Sequence, residues 1–208
     1  MEKNSRKERE YLVRREEILQ AAERVFATKG FFHTTMNEIA GTAEFGTGTL
    51  YKYFKSKEDL YFTLIDEKTV EINELVKRQL TQEGSATERI RKAVLLQLEF
   101  IERNRDFFRI YISERNRFEW TVKDDLGKGI HDKMVSYIST LAQVMEEGIK
   151  AEELKILNPL DLAHALVGIV NSFLFEWLIS PQPYSIISKV DLILEIFLKG
   201  VEPAERTQ

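Results

Sequence analysis

Cysteine is absent from the 208-residue chain, and histidine, proline and glycine are scarce, with three, four and ten residues respectively. Without cysteine the protein has no disulfide framework, no thiolate metal centre and no cysteine nucleophile, and three histidines supply few zinc ligands. Because proline and glycine break helices, their scarcity leaves most of the chain free to form them. We therefore expect an all-α protein that uses no metal and no other cofactor.

A signal peptide and a membrane span are also not apparent in the sequence. The first ten residues, MEKNSRKERE, lack an apolar segment, and the most apolar stretch, residues 163–179, carries His164, Asn171 and Glu176. Hydrophobic residues make up 43% of the chain and charged residues 31%, which suffices for a core and a solvated surface. These features predict a globular, cytoplasmic protein that does not use a membrane.

Charge is distributed unevenly along the chain. Residues 1–60 contain 11 basic and 10 acidic side chains, whereas the remaining residues contain 19 basic and 24 acidic ones. Six basic side chains fall within residues 1–15, at Lys3, Arg6, Lys7, Arg9, Arg14 and Arg15. This basic segment fits an arm that lies along phosphates. A solvated, frayed terminus explains residues 1–9 equally well.

Apolar periodicity and capping residues predict where the helices begin and end. Apolar residues at helical spacing predict a first helix from about Tyr11 to Lys29, which Gly30 ends. Residue pairs typical of helix starts occur at Ser85 with Glu88 and at Asn158 with Pro159. Further helices are predicted over about 57–80, from 85 onwards, and over about 159–179 and 185–199.

Residues 34–54 have the spacing of a helix-turn-helix motif. A first short helix, with Thr35 as its N-cap, runs to Ala43, residues 44–46 allow only a tight turn, and residues 47–54 form a second short helix. Apolar or small side chains would meet across this corner, namely Ile39, Ala40 and Leu50.

The side chains that remain outside on the second helix are small or hydrogen-bonding: Thr47, Gly48, Thr49, Tyr51, Lys52 and Tyr53. Hydroxyl, phenol and ammonium groups hydrogen-bond to base edges or phosphate oxygens, and Gly48 lets the backbone approach DNA closely. A solvated amphipathic helix whose tyrosines pack against the first helix is the alternative explanation. The residues taken alone leave both explanations open.

Three segments resemble the DNA-binding region of the tetracycline-repressor (TetR) family of bacterial transcription regulators. They are residues 18–30 (ILQAAERVFATKG), 35–43 (TMNEIAGTA) and 48–60 (GTLYKYFKSKEDL), within a resemblance that covers about 11–65. The resemblance implies that the helix from Thr47 enters the major groove and that Thr47, Gly48 and Thr49 contact base edges. It assigns phosphate contacts to Thr35, Tyr51, Lys52, Tyr53 and Lys57.

Two residues depart from the family pattern. Glu44 stands where the family usually has glycine, and Gly46 stands where it usually has a serine or threonine cap. A left-handed glutamate costs about 1 kcal/mol relative to glycine, and a glycine cap costs a few tenths relative to serine. We expect the fold to tolerate both, and we do not expect Glu44 to contact DNA, because its carboxylate would repel phosphates.

The resemblance weakens after about residue 65, so the larger part is interpreted from its own residues. We predict a DNA-binding domain over 1–56 and an effector-binding and dimerisation domain over 57–208. Most aromatic residues of the second domain belong to its core, but their number exceeds what a small helical core needs. Candidate ligand-binding residues are Phe107, Tyr111, Tyr137, Asn171 and Phe175. The Asn171 amide requires a wet cavity or a helix-to-helix hydrogen bond, including one across a dimer seam.

The predicted helices at 159–179 and 185–199 are apolar on more than one face, which implies packing against another chain. The resemblance implies a homodimer that forms through the last two long helices. Candidate interface residues are Leu166, Phe173, Leu192, Ile193 and Ile196. A twofold dimer suits double-stranded DNA with a palindromic operator, because its two base-contacting helices lie about 34–36 Å apart.

The sequence thus predicts a repressor that a small apolar or aromatic effector releases from its operator, with activation left open. One alternative is a dimeric all-helical scaffold with a vestigial DNA-binding region, which Glu44 supports. Another is an all-helical enzyme, but the chain lacks a nucleophile with a base and a glycine-rich phosphate loop. Asp161 and His164 form half of a carboxylate metal site without a second pair, and neither they nor His131 predict a metal.

Overall fold

The computed structural model describes residues 6–115, 125–180 and 183–201, and the side chains of all of these except residues 110, 113–115 and 125–131. The described residues form helices, without any strand, so the all-α prediction is confirmed. The helices are α1 (Arg6–Lys29), α2 (Met36–Thr42), α3 (Thr47–Leu50), α4 (Lys57–Leu80), α5 (Ala86–Arg103), α6 (Arg105–Arg115), α7 (Asp125–Lys150), α8 (Pro159–Ile179) and α9 (Val190–Val201), with a short 3₁₀ helix at Ile186–Lys189.

Side chains cap the helix starts at the predicted positions. Thr35 caps α2, Ser85 caps α5 by accepting a hydrogen bond from the Glu88 N–H, and Asn158 caps α8 with Pro159 in its first turn. These caps satisfy N–H groups that have no partner inside the helix. At the end of α1, Gly30 has a φ of 75°, which glycine adopts without strain.

Three helix boundaries differ from those predicted. Helix α1 begins at Arg6, because the charged residues before Tyr11 continue the helix without needing a buried face. Helix α3 ends at Leu50, and the chain continues to Tyr53 in tighter turns in which the Lys52 N–H donates to the Thr49 carbonyl. The last helix begins as the 3₁₀ helix and becomes α-helical only at Val190.

Glutamates occupy left-handed positions at the ends of α2 and α7. Glu44 and Glu152 both have a φ of 59°. After α2, the Phe45 N–H donates to the Ala40 carbonyl at 2.9 Å and the Glu44 N–H donates to the Gly41 carbonyl at 3.3 Å. These bonds form a Schellman motif, which satisfies the last carbonyls of α2 and holds Glu44 in a conformation that usually requires glycine.

The chain divides into two compact units. Unit 1 comprises 1–68 and 109–119, and unit 2 comprises 69–108 and 120–208. In unit 1, α2 packs against α1 and α3. The fully buried apolar side chains of unit 1 include Ile18, Ala22, Phe26, Ile39, Leu50, Leu60 and Ile65.

In unit 2, α5 packs against α7 and α9, and α8 packs against both α7 and α9. Among the residues that the structure describes, the largest buried side chain is Trp177 of α8, which is 1% exposed. Its indole N–H donates to the Tyr184 carbonyl at 2.9 Å, and the Arg105 guanidinium lies 4.2 Å from its ring centroid. These contacts tie the end of α8 to the start of α6.

Helix α8 is long and apolar enough to cross a membrane by length and composition. The core helix of a globular protein can have the same length and composition. In unit 2, α8 buries Leu162, Leu166, Val170 and Leu174 against its neighbours, as a core helix does.

Candidate nucleic-acid interface

Helices α2 and α3 form the predicted corner. Ile39, Ala40 and Leu50 are buried where the two helices meet, and Gly46 is the N-cap of α3. The short turn between the helices is fixed by the Schellman motif at Glu44, so the unusual glutamate is accommodated by hydrogen bonds. The local geometry of a helix-turn-helix motif is therefore intact in this chain.

One face of this corner, which we call the α3 surface, consists of Thr47, Gly48, Thr49, Tyr51 and Lys52. Tyr51, Lys52 and Gly48 are exposed, and the two threonines are half-buried. A Cβ atom added at Gly48 would meet no atom within 4 Å, so the space in front of the backbone there is open. Hydroxyl and ammonium groups thus surround a stretch of backbone at Gly48 that another molecule can approach closely.

Helix α2 contributes a neighbour to the α3 surface that the sequence analysis missed. The Thr47 hydroxyl donates a hydrogen bond of 2.7 Å to Oδ1 of Asn37, which is exposed on α2. Asn37 lies two residues after the N-cap Thr35, in the first turn of α2. Sequence spacing gives no signal for this contact, because the two residues meet only through the crossing of α2 and α3.

The two tyrosines after α3 lie in different environments. Tyr53 stacks on Tyr11 of α1 with ring centroids 4.7 Å apart, whereas Tyr51 is 54% exposed. The alternative explanation, in which tyrosines pack against the first helix, is therefore correct for Tyr53 and not for Tyr51. Such stacking fixes the ring and leaves the phenol hydroxyl as the part able to bind phosphate.

Thr35 is engaged in a complete capping box with Glu38. The N–H and the hydroxyl of Thr35 donate to the Glu38 carboxylate at 2.8 and 2.9 Å, and the Glu38 N–H donates back to the hydroxyl oxygen at 3.3 Å. Hydrogen bonds from Lys29 and then from Thr35 lower the pKa of Glu38 to about 2. The proton of the Thr35 hydroxyl is donated to Glu38, so this hydroxyl stabilises the start of α2. The phosphate contact of Thr35 stays a prediction.

Lys57 also has partners within unit 1. Its ammonium donates hydrogen bonds of 2.8 Å to the carbonyls of Phe31 and Thr34, and it lies 4.3 Å from the centroid of the Phe31 ring. These bonds hold the loop between α1 and α2 against the first residue of α4. The phosphate contact predicted for Lys57 therefore competes with two charge-assisted bonds inside the protein.

The basic segment at the start of α1 is helical from Arg6 onwards. Arg6 pairs with Glu10 at 3.0 Å, and Arg15 pairs with Glu67 at 2.6 Å, so both are partly neutralised. Arg9 and Arg14 line a shallow groove together with Phe45 of the turn. Residues 6–9 are helical, so they do not form the frayed terminus that was the alternative explanation for residues 1–9. Lys3 lies outside the described residues.

The candidate ligand-binding residues lie on helices α6, α7 and α8. Phe107 is buried, and Tyr111 lies one turn after it on α6. The Tyr137 hydroxyl donates to Gln97 Oε1 at 3.4 Å, and burial raises the pKa of Tyr137 to about 12. Asn171 and Phe175 are exposed on α8, outside the core of unit 2, and their role in ligand binding stays a prediction.

The candidate dimer residues separate into buried and exposed ones. Leu166 and Ile193 are 1% and 0% exposed, so their assignment to an interface is wrong, because they pack within unit 2 and cannot reach another chain. Phe173 is half-buried, whereas Leu192 and Ile196 are exposed. Three further apolar side chains of α8 are exposed: Leu160, Phe175 and Ile179. We call Leu160, Phe175, Ile179, Leu192 and Ile196 the α8–α9 surface.

Among the described residues, no group of histidine, aspartate and glutamate side chains could hold a metal ion. His164 is exposed on α8, and the His131 side chain lies outside the described residues.

Comparison with known proteins adds information about both parts of the chain. A model of bacterial regulatory proteins of the tetR family matches residues 18–64, and a model of the tetracyclin repressor-like C-terminal domain matches residues 83–200. The fatty acid metabolism regulator protein of Bacillus subtilis is 24% identical over 186 residues, which are 89% of this chain and 94% of that protein.

Solved structures share the fold over nearly the whole chain. The transcriptional regulator FadR from Bacillus subtilis, in complex with stearoyl-CoA, superposes with a TM-score of 0.73 at 22% identity, and 90% of this chain and 99% of that chain are covered. AibR, in complex with isovaleryl coenzyme A and operator DNA, superposes with a TM-score of 0.72 at 18% identity, with 88% and 97% covered.

Proposed function

The chain belongs to the TetR family of bacterial regulatory proteins, and we propose that it is a homodimeric repressor that a small effector releases from a palindromic operator. The observation that carries this proposal is the α3 surface. It combines an intact helix-turn-helix corner with hydroxyl and ammonium groups and with open space in front of Gly48. These are the features that a major-groove helix requires.

We assign base contacts to Thr47 and Thr49 and phosphate contacts to Tyr51, Lys52 and Tyr53. The exposed Lys52 ammonium and the exposed Tyr51 phenol suit phosphate oxygens, which carry no sequence information. The threonine hydroxyls are shorter, so they suit base edges that the helix approaches closely. We propose residues 1–56 as the DNA-binding domain and residues 57–208 as the effector-binding and dimerisation domain.

The dimer of this proposal forms through the α8–α9 surface. Phe175, Ile179 and Ile196 are each about half exposed, and burial of such side chains against a second copy stabilises a dimer. Asn171 lies one turn before Phe175 on the same helix, which places its amide where a hydrogen bond across a twofold seam can form.

An acyl-coenzyme A thioester is the effector class that we propose. FadR from Bacillus subtilis was solved with stearoyl-CoA and AibR with isovaleryl coenzyme A. The apolar and aromatic interior of unit 2, which includes Phe100, Phe107 and Trp177, is compatible with an acyl chain. The effector would prefer the conformer whose two α3 surfaces are wrongly spaced for the operator, and DNA would prefer the other conformer.

The two alternatives are less well supported. The helix-turn-helix motif keeps a complete capping box, a Schellman motif and a polar α3 surface. A region that no longer binds DNA would not need all three, so these features speak against a scaffold. For an enzyme, neither the sequence nor the described residues supply a nucleophile with a base or a metal cluster. We therefore propose a regulator without catalytic activity that acts in the cytoplasm, where its DNA is.

A gel-shift titration of the full-length protein with duplexes from its own upstream region tests the proposal. We expect a complex that acyl-coenzyme A thioesters of some chain lengths release, while coenzyme A alone and the free fatty acids do not. Absence of binding to any upstream duplex would favour the scaffold. A transcription assay with the same duplex distinguishes repression from activation.

A further inference from the structure

The hydrogen bond between Thr47 and Asn37 joins the two helices of the DNA-binding corner on the side that faces outward. The Thr47 hydroxyl donates to Asn37 Oδ1 at 2.7 Å, Asn37 is exposed and Thr47 is half-buried. Both residues lie in the first turn of their helices, α2 and α3. The pair therefore stands beside the open space in front of Gly48.

This bond determines what the Thr47 hydroxyl offers to a base. A threonine hydroxyl has one proton and two acceptor lone pairs, so it can either donate to a base edge or accept from one. When its proton is donated to Asn37, only lone pairs remain for the DNA. In the major groove, adenine N6 and cytosine N4 carry donor hydrogens, whereas guanine and thymine present acceptors at O6, N7 and O4.

We propose that Asn37 is a specificity-determining residue that acts through Thr47, and that it makes the operator position opposite Thr47 prefer adenine or cytosine over guanine or thymine. The inference rests on the proposed role of Thr47 as a base-contacting residue. Asn37 is a positioning residue in this account, because it contacts Thr47 and sets the direction of its proton.

The helix that carries Asn37 is fixed at both of its ends. Helix α2 is fixed at its start by the capping box of Thr35 and Glu38 and at its end by the Schellman motif at Glu44. Ile39 buries the opposite face of the helix. An acceptor on such a helix is oriented before DNA arrives, which favours one hydrogen-bond direction over the other.

The experiment is a selection of bound duplexes from a randomised double-stranded DNA library with the full-length protein. Four proteins are compared: the native chain and its Thr47→Val, Asn37→Ala and Asn37→Asp variants. Thr47→Val keeps the shape and removes the hydroxyl. Asn37→Ala removes the acceptor, and Asn37→Asp restores an acceptor oxygen at the same place. Asn37 is exposed, so its replacements leave the core unchanged, and circular dichroism checks the helices.

We expect the native protein to favour adenine or cytosine about tenfold at one position of each half-site, the size of one good hydrogen bond. Thr47→Val and Asn37→Ala should both relax that same position and no other. Asn37→Asp should keep the preference while binding all duplexes more weakly, because its charge repels phosphate. If Asn37 only supported folding, Asn37→Ala would weaken binding to all duplexes and leave the base preference unchanged.

Three results would overturn the inference. A native preference for guanine or thymine at the position that Thr47→Val relaxes would show that the hydroxyl donates to DNA. An unchanged preference in Asn37→Ala, or a change at a different position, would show that Asn37 does not act through Thr47. If Thr47→Val changes no position, the base-contacting role of Thr47 fails as well, and this result is distinct from the other two.

Discussion

The α3 surface of unit 1 and the α8–α9 surface of unit 2 differ in the chemistry that they expose. On the α3 surface the exposed or half-buried groups are polar, and Thr47 already has a partner in Asn37. On the α8–α9 surface the exposed side chains are apolar, and Phe175 and Ile196 are 54% and 49% exposed. A polar surface remains solvated until DNA binds, whereas an apolar surface of this kind is stabilised by a second chain. Variants that affect one surface and spare the other therefore test the comparison.

The largest effect is the loss of stability that we expect when a buried residue of α9 is replaced by a charged one. Ile193 of α9 is 0% exposed, so Ile193→Glu places a carboxylate in the core of unit 2 at a cost of ~5 kcal/mol. Because this approaches the whole stability of many domains, unit 2 should unfold. Thermal unfolding by circular dichroism measures the loss, and a cooperative transition near that of the native protein would contradict the burial of Ile193.

Ile196→Glu is the matched variant on the exposed face of the same helix. Its side chain is 49% exposed, so the monomer should remain folded while the dimer dissociates. Operator affinity should then fall about a hundredfold or more, because a single half-site lacks the second binding event. Sedimentation and a DNA titration measure the two effects. If the variant stays dimeric and binds the operator with native affinity, the α8–α9 surface is not the dimer interface.

A smaller effect is expected for Lys57, the first residue of α4 in unit 1. Lys57→Met removes two hydrogen bonds to the carbonyls of Phe31 and Thr34 and should destabilise unit 1 by about 2 kcal/mol. Urea unfolding measures this loss, and Lys57→Arg serves as the control that keeps the charge. A drop of about one in the salt slope of DNA binding, without loss of stability, would mean that Lys57 contacts phosphate instead.

The smallest effect concerns the capping box at the start of α2. The pKa of Glu38 is lowered from 4.5 to about 2, chiefly by the hydrogen bond from Lys29. The stabilisation by the carboxylate is therefore fully present above pH 4.5 and is lost as the pH falls through 2. The difference in stability between the native protein and Glu38→Gln should shrink across this range. A constant difference would show that Glu38 is not held ionised by the cap, and the effect is small because solvent screens the exposed carboxylate.

Local sequence signals predicted the helix starts that have a side-chain cap and the helix-turn-helix motif well. Thr35, Ser85 and Asn158 cap helices as expected, since capping depends on residues within one turn of each other. The left-handed Glu44 was expected from the glycine that the family usually has at this position, but the hydrogen bonds that stabilise it are visible only in the structure.

Contacts between elements could not be predicted in the same way. Helices α8 and α9 are apolar on more than one face, so periodicity did not show that Leu166 and Ile193 face the core and that Phe175 and Ile196 face outward. Asn37 and Lys57 bond to residues 10 to 26 positions away, and spacing along the chain carries no signal for such pairs.

The packing of Trp177 gives the two units different optical signals. No tryptophan occurs in residues 1–68, so the helix-turn-helix motif contains no tryptophan that could contribute to the fluorescence. Because Trp177 is buried beneath the Arg105 guanidinium, its emission is sensitive to any rearrangement at the end of α8. Circular dichroism reports on the helices of both units. Recording both signals on one sample separates the melting of the DNA-binding corner from that of the larger unit without any added label.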